Sequence, residues 1–363
     1  MIGRVVVYIN GRFLTQKTTG VQRFAREIVL ALSQLRDDVV IVTPKLTLDN
    51  RQCNMDFYRK LNIVEVGKMQ GHIWEQIELL RFMHSTKNGV LLNLCNTAPI
   101  FYNFNIYTLH DVIFKRYPKS YDFKFRWFYN ILSSMLLKKS IEIFTVSNFS
   151  KDEIIKFYPW VDVNKINIVY NAVPTVLNGC ANLIREGSVR NTTFITQAYF
   201  NDNKNIYVIL DALKLIKRND FKISIIGDLS EKEPEKLEEA LKDARVEYLG
   251  RVSDEKLVFL YSTSLAYIIP SRIEGFGIPA LEAQKFGCPV ISSNTGSLPE
   301  ILKESAIFFN PEDPKELASL ILMLLDSNAN IINELINNGY VNANRFSFQK
   351  SAEIVDRVLN KYL

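Results

Sequence analysis

Residues 266–294 read AYIIPSRIEGFGIPALEAQKFGCPVISSN: an apolar run, a glycine-bearing loop, a helical segment and a second apolar run. The apolar runs have strand length, and Pro279 and Gly287 stand where helices favour proline at the start and glycine at the end. A strand, a helix and another strand in this order are typical of a parallel sheet with a crossover helix. The stretch predicts one βαβ unit of an α/β fold.

The same alternation of strand and helix patterns extends along the chain in both directions. Toward the N-terminus the pattern predicts strands at Val5–Ile9, Val39–Val42, Val90–Leu94, Ile106–Leu109 and Ile141–Val146. Helices are predicted from about Val21 to Leu35 and, with a cap in residues 147–150, over the stretch KDEIIKFY (151–158). Toward the C-terminus it predicts strands at Phe194–Ala198, Phe221–Ile226, Val246–Leu249, Ala266–Ile269 and Pro289–Ser292. Helices are predicted at Ile206–Ile216 and Pro234–Asp243, between the last three strands, and after Glu312.

The length of 363 residues indicates two domains, because a single hydrophobic core rarely grows beyond about 250–300 residues. Periodicity lapses over residues 173–189, which contain Pro174, Gly179 and Gly187, so the linker is expected there. We therefore predict an N-terminal domain over residues 1–172 and a C-terminal domain over residues 190–345. Each is expected to be a Rossmann-like, doubly wound parallel-sheet domain, and a ligand cleft is expected between them.

Composition excludes several protein classes. Hydrophobic residues make up 47% of the chain and charged residues 23%, as in ordered globular proteins. The first apolar run is too short for a signal-peptide core or a membrane span, and no other run reaches spanning length. The four cysteines form no Cys-x-x-Cys pair, which argues against a zinc site or a disulfide framework and favours a reducing cytoplasm.

Residues 114–140 form the densest basic and aromatic segment, within a chain of net charge +5. The segment has one acid, Asp122, and seven cationic residues, which are Lys115, Arg116, Lys119, Lys124, Arg126, Lys138 and Lys139. A helix with packed aromatic rings and solvated cations is the favoured interpretation. A peripheral membrane contact over residues 114–139 is the alternative. Nucleic-acid binding is disfavoured, because the basic residues are confined to one region and no nucleic-acid-binding module is present.

The loop after the strand at residues 266–269 carries the most informative chemistry. A helix N-terminus offers unpaired backbone N–H groups and a partial positive charge, and Gly275 and Gly277 leave room for a ligand to reach them. Glu274 lies in the loop and Glu282 in the first turns of the helix. Two acids at this spacing are suited to two polyols of one ligand, such as a sugar and a ribose.

This loop resembles the E-x7-E signature of the GT4 family of retaining glycosyltransferases, with Glu274 and Glu282 as its acids. Further strings match in order along nearly the whole chain: TGVQRFARE (19–27), HD (110–111), TVSNFSK (145–151), VYNAV (169–173), KN (204–205), GRVSDEKL (250–257), SLPE (297–300) and FSF (346–348). Each string alone is weak evidence of a relationship, but a chance match of all of them in the same order is not expected. The resemblance implies the two-domain GT-B fold, with the terminal helix, residues 346–363, crossing back to the N-terminal, acceptor-side domain.

The resemblance also implies roles for the loop residues. Glu274 contacts the transferred sugar, and Gly275, Phe276 and Gly277 present their backbone to sugar hydroxyls and phosphates. Glu282 holds the donor ribose. Two alternative interpretations of these residues are a purely structural turn followed by a solvated helix, and a G-x-G-x-x-A dinucleotide fingerprint. The fingerprint fits poorly, because four residues separate its first glycine from the strand.

Three residues outside the loop acquire roles by the same resemblance. His110, with Asp111 fixing its loop, lies beside the donor sugar, and the alternative is a buried histidine with a structural hydrogen bond. The backbone of Gly20 closes over the diphosphate. Lys204 binds the phosphates, and the alternative is a solvated surface lysine.

The chain departs from the family pattern near Lys204. Asn203 and Ala198 stand where many relatives have an arginine, so Arg272, Arg251 or Arg23 is the candidate replacement. No Asp-x-Asp pair occurs, and we expect no metal requirement.

The predicted function is retaining transfer of a hexose or deoxyhexose in surface-polysaccharide (O-antigen or capsule) synthesis. The expected donor is a GDP-, UDP- or dTDP-linked sugar, and the expected acceptor is a glycan or lipid-linked oligosaccharide. The expected location is the cytoplasm, at the inner face of the plasma membrane if the basic segment binds lipid. A sugar-nucleotide epimerase of the same fold and a catalytically inactive binding protein are the alternatives.

Overall fold

The computed structural model describes residues 6–47, 49–50, 60–86, 89–180, 190–197, 200, 202–227 and 234–363. The chain forms two compact units. Unit 1 comprises residues 1–116, 121–171 and 347–363, and unit 2 comprises residues 117–120 and 172–346.

Unit 1 contains a parallel sheet that, within the described residues, has seven strands in the order β3-β2-β1-β4-β5-β6-β7. The strands are β1 (Val7–Asn10), β2 (Val39–Thr43), β3 (Asn62–Glu65), β4 (Val90–Asn93), β5 (Asn105–Thr108), β6 (Glu142–Thr145) and β7 (Ile166–Ile168). The strand order reverses between β1 and β4. In open α/β sheets, the carboxyl ends of the strands beside such a reversal form the ligand-binding crevice.

Helices and short turns connect these strands. The helices of unit 1 are α1 (Gly20–Leu35), α2 (residues 71–85), α3 (Ile113–Arg116), α4 (Phe123–Lys139), α5 (Asn148–Phe157) and α14 (Phe348–Leu359). Helix α2 is continuous but contains a wider, π-helical segment at Trp74–Leu79.

The C-terminal helix α14 packs on α1 inside unit 1. Ser347 caps its N-terminus by accepting a hydrogen bond from the Lys350 amide at 3.2 Å. The ring of Phe348 contacts that of Phe24 edge-on at 6.3 Å, and Arg36 forms an ion pair with Asp356 at 2.8 Å. The apolar face of α14 is therefore part of the unit 1 core.

Unit 2 contains a second parallel sheet, with six strands among the described residues in the order β10-β9-β8-β11-β12-β13. Its strands are β8 (Thr193–Thr196), β9 (Lys222–Ile226), β10 (Val246–Gly250), β11 (Ala266–Ile269), β12 (Val290–Ser293) and β13 (Ile307–Phe309). Its helices are α6 (Thr175–Asn178), α7 (Ile206–Leu215), α8 (Pro234–Ala240), α9 (Asp254–Thr263), α10 (Ile278–Lys285), α11 (Leu298–Leu302), α12 (Pro314–Asp326) and α13 (Ala329–Ala343). The order reverses between β8 and β11.

The α/β fold class with two doubly wound parallel sheets, predicted from the strand and helix patterns, is confirmed. Elements shared by prediction and structure differ by a few residues at their ends. The first predicted strand, Val5–Ile9, includes Val5, which lies outside the described residues, as do residues 181–189 of the predicted linker, Ala198 and Cys53. The rest of that linker contains the short helix α6.

Eight of the labelled elements were not predicted: β3, β7, β13, α2, α13 and the short helices α3, α6 and α11. Strands β7 and β13 have only three residues each, too few for a periodic pattern. Helix α13 is rich in asparagine, a weak helix former, and contains Gly339. This helix packs against α10, where the side-chain amide of Asn342 donates to Gln284 Oε1 at 2.7 Å. Such tertiary packing leaves no local sequence pattern.

No single helix among the described residues has the length and apolar composition of a membrane span. The segments Pro314–Asp326 and Ala329–Leu359 meet that criterion only when taken together as a bent pair.

Candidate functional site

The glycine-bearing loop of unit 2 joins β11 to α10 at the sheet reversal. Gly277 is the N-cap of α10 and has φ of +92°, a conformation that side-chain-bearing residues rarely adopt. A Cβ at this position would lie 2.5 Å from Leu298 Cδ2. The backbone conformation therefore favours glycine, and a side chain here would also displace the Leu298 side chain.

Gly277→Ala is expected to destabilise unit 2 by about 1–3 kcal/mol, because the alanine adds both conformational strain and a clash. Gly250→Ala is the matched control: Gly250 has φ of +63°, but its nearest side-chain contact would lie at 3.9 Å. Urea unfolding followed by circular dichroism gives both values. Equal losses in the two variants would contradict the contribution of the clash.

Lys204 and Glu274 form an ion pair in the loop region of unit 2. Lys204 Nζ lies 2.7 Å from Glu274 Oε1, and the Ser271 hydroxyl donates to the same oxygen at 2.7 Å. Lys204 precedes α7 and Glu274 follows β11, so the two residues are 70 positions apart and meet because β8 and β11 are adjacent strands. Their side chains are 30% and 13% exposed, which leaves both groups within reach of a ligand.

A second loop, after β12, holds the backbone of Glu274. The amide and hydroxyl of Ser297 both donate to the Glu274 carbonyl, at 3.2 and 3.0 Å. Gly296 has φ of +65°, and a Cβ there would lie 2.8 Å from the Glu274 nitrogen. The close approach of this loop fixes the position from which the Glu274 carboxylate extends.

Glu282 lies on the second turn of α10 and is only 5% exposed. The Tyr261 hydroxyl donates to Glu282 Oε2 at 3.4 Å. Burial and the nearby Glu282 charge raise the pKa of Tyr261 well above its ordinary value, so this hydroxyl remains protonated. The side chain of Phe276 is also buried, edge-on against Phe346 at 5.5 Å, so only its backbone is suited to contact a ligand.

Arg272, one candidate for the missing cation, binds other groups. Its guanidinium pairs with the Glu312 carboxylate and donates to the Asp202 carbonyl at 2.8 Å. These hydrogen bonds to Glu312 raise the pKa of Arg272. Arg251 is exposed at the end of β10.

The structure adds polar groups that the motif did not indicate. Ser271 binds the Glu274 carboxylate directly. Thr196 Oγ1, at the carboxyl end of β8, and Asn203 Oδ1 are buried without a hydrogen-bond partner among the described residues. Strand-end position was the available signal for Thr196, whereas the burial of Asn203 depends on tertiary packing.

In unit 1, His110 follows β5 and is 5% exposed. Its backbone amide donates to Asn96 Oδ1 at 2.9 Å, and its ring Nε2 lies 3.0 Å from the Leu94 carbonyl oxygen. A carbonyl only accepts hydrogen bonds, so Nε2 carries the proton and Nδ1 is the acceptor nitrogen. The Asp111 side chain accepts from the Ile113 amide at 3.0 Å and shapes the turn that follows.

Burial lowers the pKa of His110 from 6.5 to about 4, although the Leu94 carbonyl favours the charged form. The unfolded chain therefore binds a proton between these pH values while the folded chain does not, so stability falls as pH drops from about 6.5 to about 4.

His110→Gln is expected to flatten the dependence of the unfolding free energy on pH in this range, by up to about 1.4 kcal/mol per pH unit. Urea titrations at pH 4.5, 5.5, 6.5 and 7.5 test this, with the exposed His84 replaced by Gln as the control. An unchanged slope in His110→Gln would contradict the lowered pKa.

Gly20 is the exposed first residue of α1. Thr19 precedes it as the N-cap, and the Thr19 amide donates to Gln22 Oε1 at 3.1 Å. Gly20 thus lies where the loop for which the family resemblance implies phosphate binding enters α1.

Comparison with known proteins gives three results. Residues 186–342 match the family model described as glycosyl transferases group 1. The O-antigen chain mannosyltransferase RfbU of Salmonella typhimurium is 29% identical over 339 residues, covering 86% of this chain and 89% of that relative. The O-antigen chain mannosyltransferase B of Escherichia coli is 27% identical over 198 residues, 52% of each chain.

Solved structures share the fold. Anabaena Alr3699/HepE in complex with UDP has a TM-score of 0.73 over 99% of this chain and 100% of its own, at 15% identity. WaaG, a glycosyltransferase involved in lipopolysaccharide biosynthesis, has a TM-score of 0.66 over 98% and 99%, at 12% identity.

Proposed function

We propose that this chain, as a group 1 glycosyl transferase, acts in surface-polysaccharide synthesis. It transfers a hexose or deoxyhexose from a nucleotide-diphosphate sugar to a glycan or lipid-linked acceptor. The observation that carries the proposal is the 2.7 Å contact between Lys204 and Glu274 beside the N-terminus of α10. This contact joins a cation suited to a diphosphate with an acid suited to sugar hydroxyls.

The donor half of the reaction is assigned to unit 2. Lys204 and the backbone around Gly277 bind the diphosphate, where negative charge develops as the sugar departs. Glu274 binds hydroxyls of the transferred sugar, and Glu282 binds the ribose. Because Lys204 is paired with Glu274, a bound diphosphate is proposed to take the place of the carboxylate on Lys204, which frees Glu274 to bind the sugar.

Two residues of unit 1 complete the assignment. The backbone of Gly20 binds phosphate oxygens, and His110 binds a hydroxyl of the transferred sugar through Nδ1. A neutral imidazole is suited to this role, because the lowered pKa of His110 keeps its acceptor nitrogen unprotonated near pH 7.

Transfer is proposed to retain anomeric configuration. The acceptor hydroxyl attacks from the face that the leaving group departs from, while positive charge builds on the sugar and negative charge on the departing phosphate oxygen. That oxygen takes the proton of the attacking hydroxyl, so no protein nucleophile is assigned.

The reaction is proposed to need no metal ion, with Lys204 and backbone amides stabilising the leaving group. Activity measured after EDTA treatment and again with added Mg²⁺ or Mn²⁺ tests this point. Loss of transfer in EDTA that a metal restores would overturn it.

A donor panel tests the function. The purified chain is incubated with GDP-mannose, UDP-glucose or dTDP-rhamnose, with and without a lipid-linked oligosaccharide fraction, and products are separated by mass spectrometry. Both relatives are named mannosyltransferases, so we expect the mannose donor of this panel, GDP-mannose, to react. Epimerised nucleotide sugar, or no product with any donor, would contradict the proposal.

We also propose that α4 contacts the cytoplasmic face of the plasma membrane. Its buried side packs through Leu132 and Leu136, while Phe123 and Trp127 are 72% and 60% exposed beside the exposed Lys124. Exposed aromatic rings among cations are the composition of an interfacial helix.

Co-sedimentation with vesicles tests the membrane contact. Binding to phosphatidylglycerol vesicles is expected to fall at least about fivefold in the double variant Phe123→Ser, Trp127→Ser, because both rings lose their apolar insertion. Trp160→Ser, at another exposed tryptophan, is the control. Equal vesicle binding by the unmodified protein, the double variant and Trp160→Ser would refute the membrane contact.

A further inference from the structure

A buried ionic cluster lies at the sheet reversal of unit 1, between the carboxyl ends of β1 and β4. Its centre is Glu75, whose side chain is 0% exposed. Glu75 Oε1 accepts hydrogen bonds from Asn10 Nδ2 at 2.7 Å and from the Thr97 hydroxyl at 2.8 Å, and Arg12 Nε lies 3.4 Å away. Arg12 also donates to Thr97 Oγ1 at 2.8 Å.

Glu75 is ionised in this setting. Burial alone would raise its pKa, but His72, Arg12 and the Asn10 and Thr97 hydrogen bonds hold the pKa below its ordinary value. A buried ion pair contributes little net stability, because desolvation opposes the Coulomb attraction. The cluster therefore calls for a role other than stability.

Helix α2 presents two consecutive residues to the loop after β4. The π-helical segment Trp74–Leu79 contains both Glu75 and Gln76, and such segments recur at functional sites. Gln76 Nε2 donates to the Ala98 carbonyl at 2.8 Å, and Gln76 Oε1 accepts from the Ile100 amide at 2.9 Å. Glu75 and Gln76 thus hold the loop from Thr97 to Ile100.

The preceding residues of the same loop hold His110. The Leu94 carbonyl fixes the ring through Nε2, and Asn96 Oδ1 accepts from the His110 amide. Asn96 has φ of +56°, an unusual conformation for a residue with a side chain, and its carbonyl accepts from the Tyr107 hydroxyl at 3.1 Å. Asn96 is adjacent to Thr97 and Leu94 precedes Thr97 by three residues, so both contacts of His110 come from the backbone segment that Thr97 ends.

We propose that Glu75, together with Arg12, is a positioning residue for His110: through Thr97 it holds the loop at residues 94–97 so that the His110 ring keeps Nε2 protonated and Nδ1 as the acceptor. The inference rests on the proposed function only for its consequence in catalysis. The positioning itself is a property of unit 1 that does not depend on substrate.

Nitrogen-15 NMR of the histidine rings tests the positioning without substrate. The chain has three histidines, so His→Gln variants assign the His72, His84 and His110 signals. The unmodified protein is expected to show His110 as a single tautomer protonated at Nε2. Glu75→Gln removes the negative charge and places an NH₂ group beside Asn10 and Thr97, which themselves donate hydrogen bonds to Glu75. This variant is expected to shift or split the His110 signals toward a mixture of tautomers.

Threonine variants keep the test decisive if Glu75→Gln does not fold. Thr97→Val removes the hydroxyl that links Glu75 and Arg12 to the loop and is expected to change the His110 signals, whereas Thr97→Ser retains the link and should restore them. Glu153→Gln is the matched control, since Glu153 is a buried carboxylate of unit 1 that pairs at 2.8 Å with Arg116, a residue outside this loop. Unaltered His110 signals in Thr97→Val, or in a folded Glu75→Gln, would overturn the proposal.

Turnover of GDP-mannose separates this inference from the proposed function. Thr97→Val is expected to lower kcat about tenfold or more, with the donor KM within about twofold, because misplacement of a reacting-centre contact costs rate rather than ground-state binding. If His110→Ala transfers normally, the role of His110 fails while the NMR result still decides the positioning. If transfer falls in Thr97→Val with unchanged His110 signals, the positioning fails and the role of His110 remains.

Discussion

Glu274→Ala is expected to lower kcat for transfer by on the order of 10³-fold, the largest effect of any single substitution proposed for this chain. The carboxylate is positioned to bind sugar hydroxyls, and contacts at a reacting centre that strengthen in the transition state are worth about 10²–10³ in rate when removed. The measurement is steady-state transfer with saturating acceptor and saturating GDP-mannose, the donor expected to react.

The fold is expected to survive this substitution. The Glu274 carboxylate accepts hydrogen bonds from Lys204 and Ser271, while the backbone of the loop is held separately by Ser297. Glu304→Ala, at an exposed acid of the same unit, is the control and should transfer normally. Near-normal turnover in Glu274→Ala, or an equal loss in the control, would remove Glu274 from the mechanism.

Lys204→Met is expected to weaken binding of GDP by about 10- to 100-fold, which corresponds to about 1.4–2.7 kcal/mol. Charge-assisted hydrogen bonds to phosphate are among the stronger polar contacts, and a neutral side chain of similar length cannot make them. Titration calorimetry at two salt concentrations measures the loss, and the salt dependence should also weaken because one cation has been removed.

Two further variants sharpen the lysine prediction. Lys204→Arg keeps the charge and should retain part of the affinity, whereas Lys214→Met, which removes an exposed lysine paired with Asp211, should have no effect. Glu274→Gln is expected to bind GDP at least as tightly as the unmodified protein, because the carboxylate that competes for Lys204 has gone. Weaker GDP binding in Glu274→Gln would contradict the exchange of Lys204 between carboxylate and diphosphate.

Local sequence was sufficient for much of unit 2. The strand at Ala266–Ile269 and the helix that follows were predicted because apolar periodicity, Pro279 and Gly287 act within a few residues. Glu274 and Glu282 could be placed on this loop and helix from the sequence, because both lie within one short segment. The seven-residue interval between them fixes one in the turn and the other on the second turn of α10.

Contacts between distant segments required the tertiary structure. The interpretation of Lys204 as a partner of the glycine loop came from resemblance, and the Glu274 contact appears only once β8 and β11 are adjacent. Arg272 was a candidate for an absent arginine, but Glu312 of a later loop neutralises it.

The sequence by itself determined the α/β class, the two-sheet organisation and the acid-flanked glycine turn, because these depend on periodicity and on residues near one another along the chain. Only the tertiary structure decided which charges are paired and which polar groups are buried. Glu75 shows the reason: its partners Asn10, Arg12 and Thr97 come from segments up to 65 residues away, and a π-helical turn aims it inward. Burial, and with it the strength of a charge, is a property of the packed unit and leaves no local pattern.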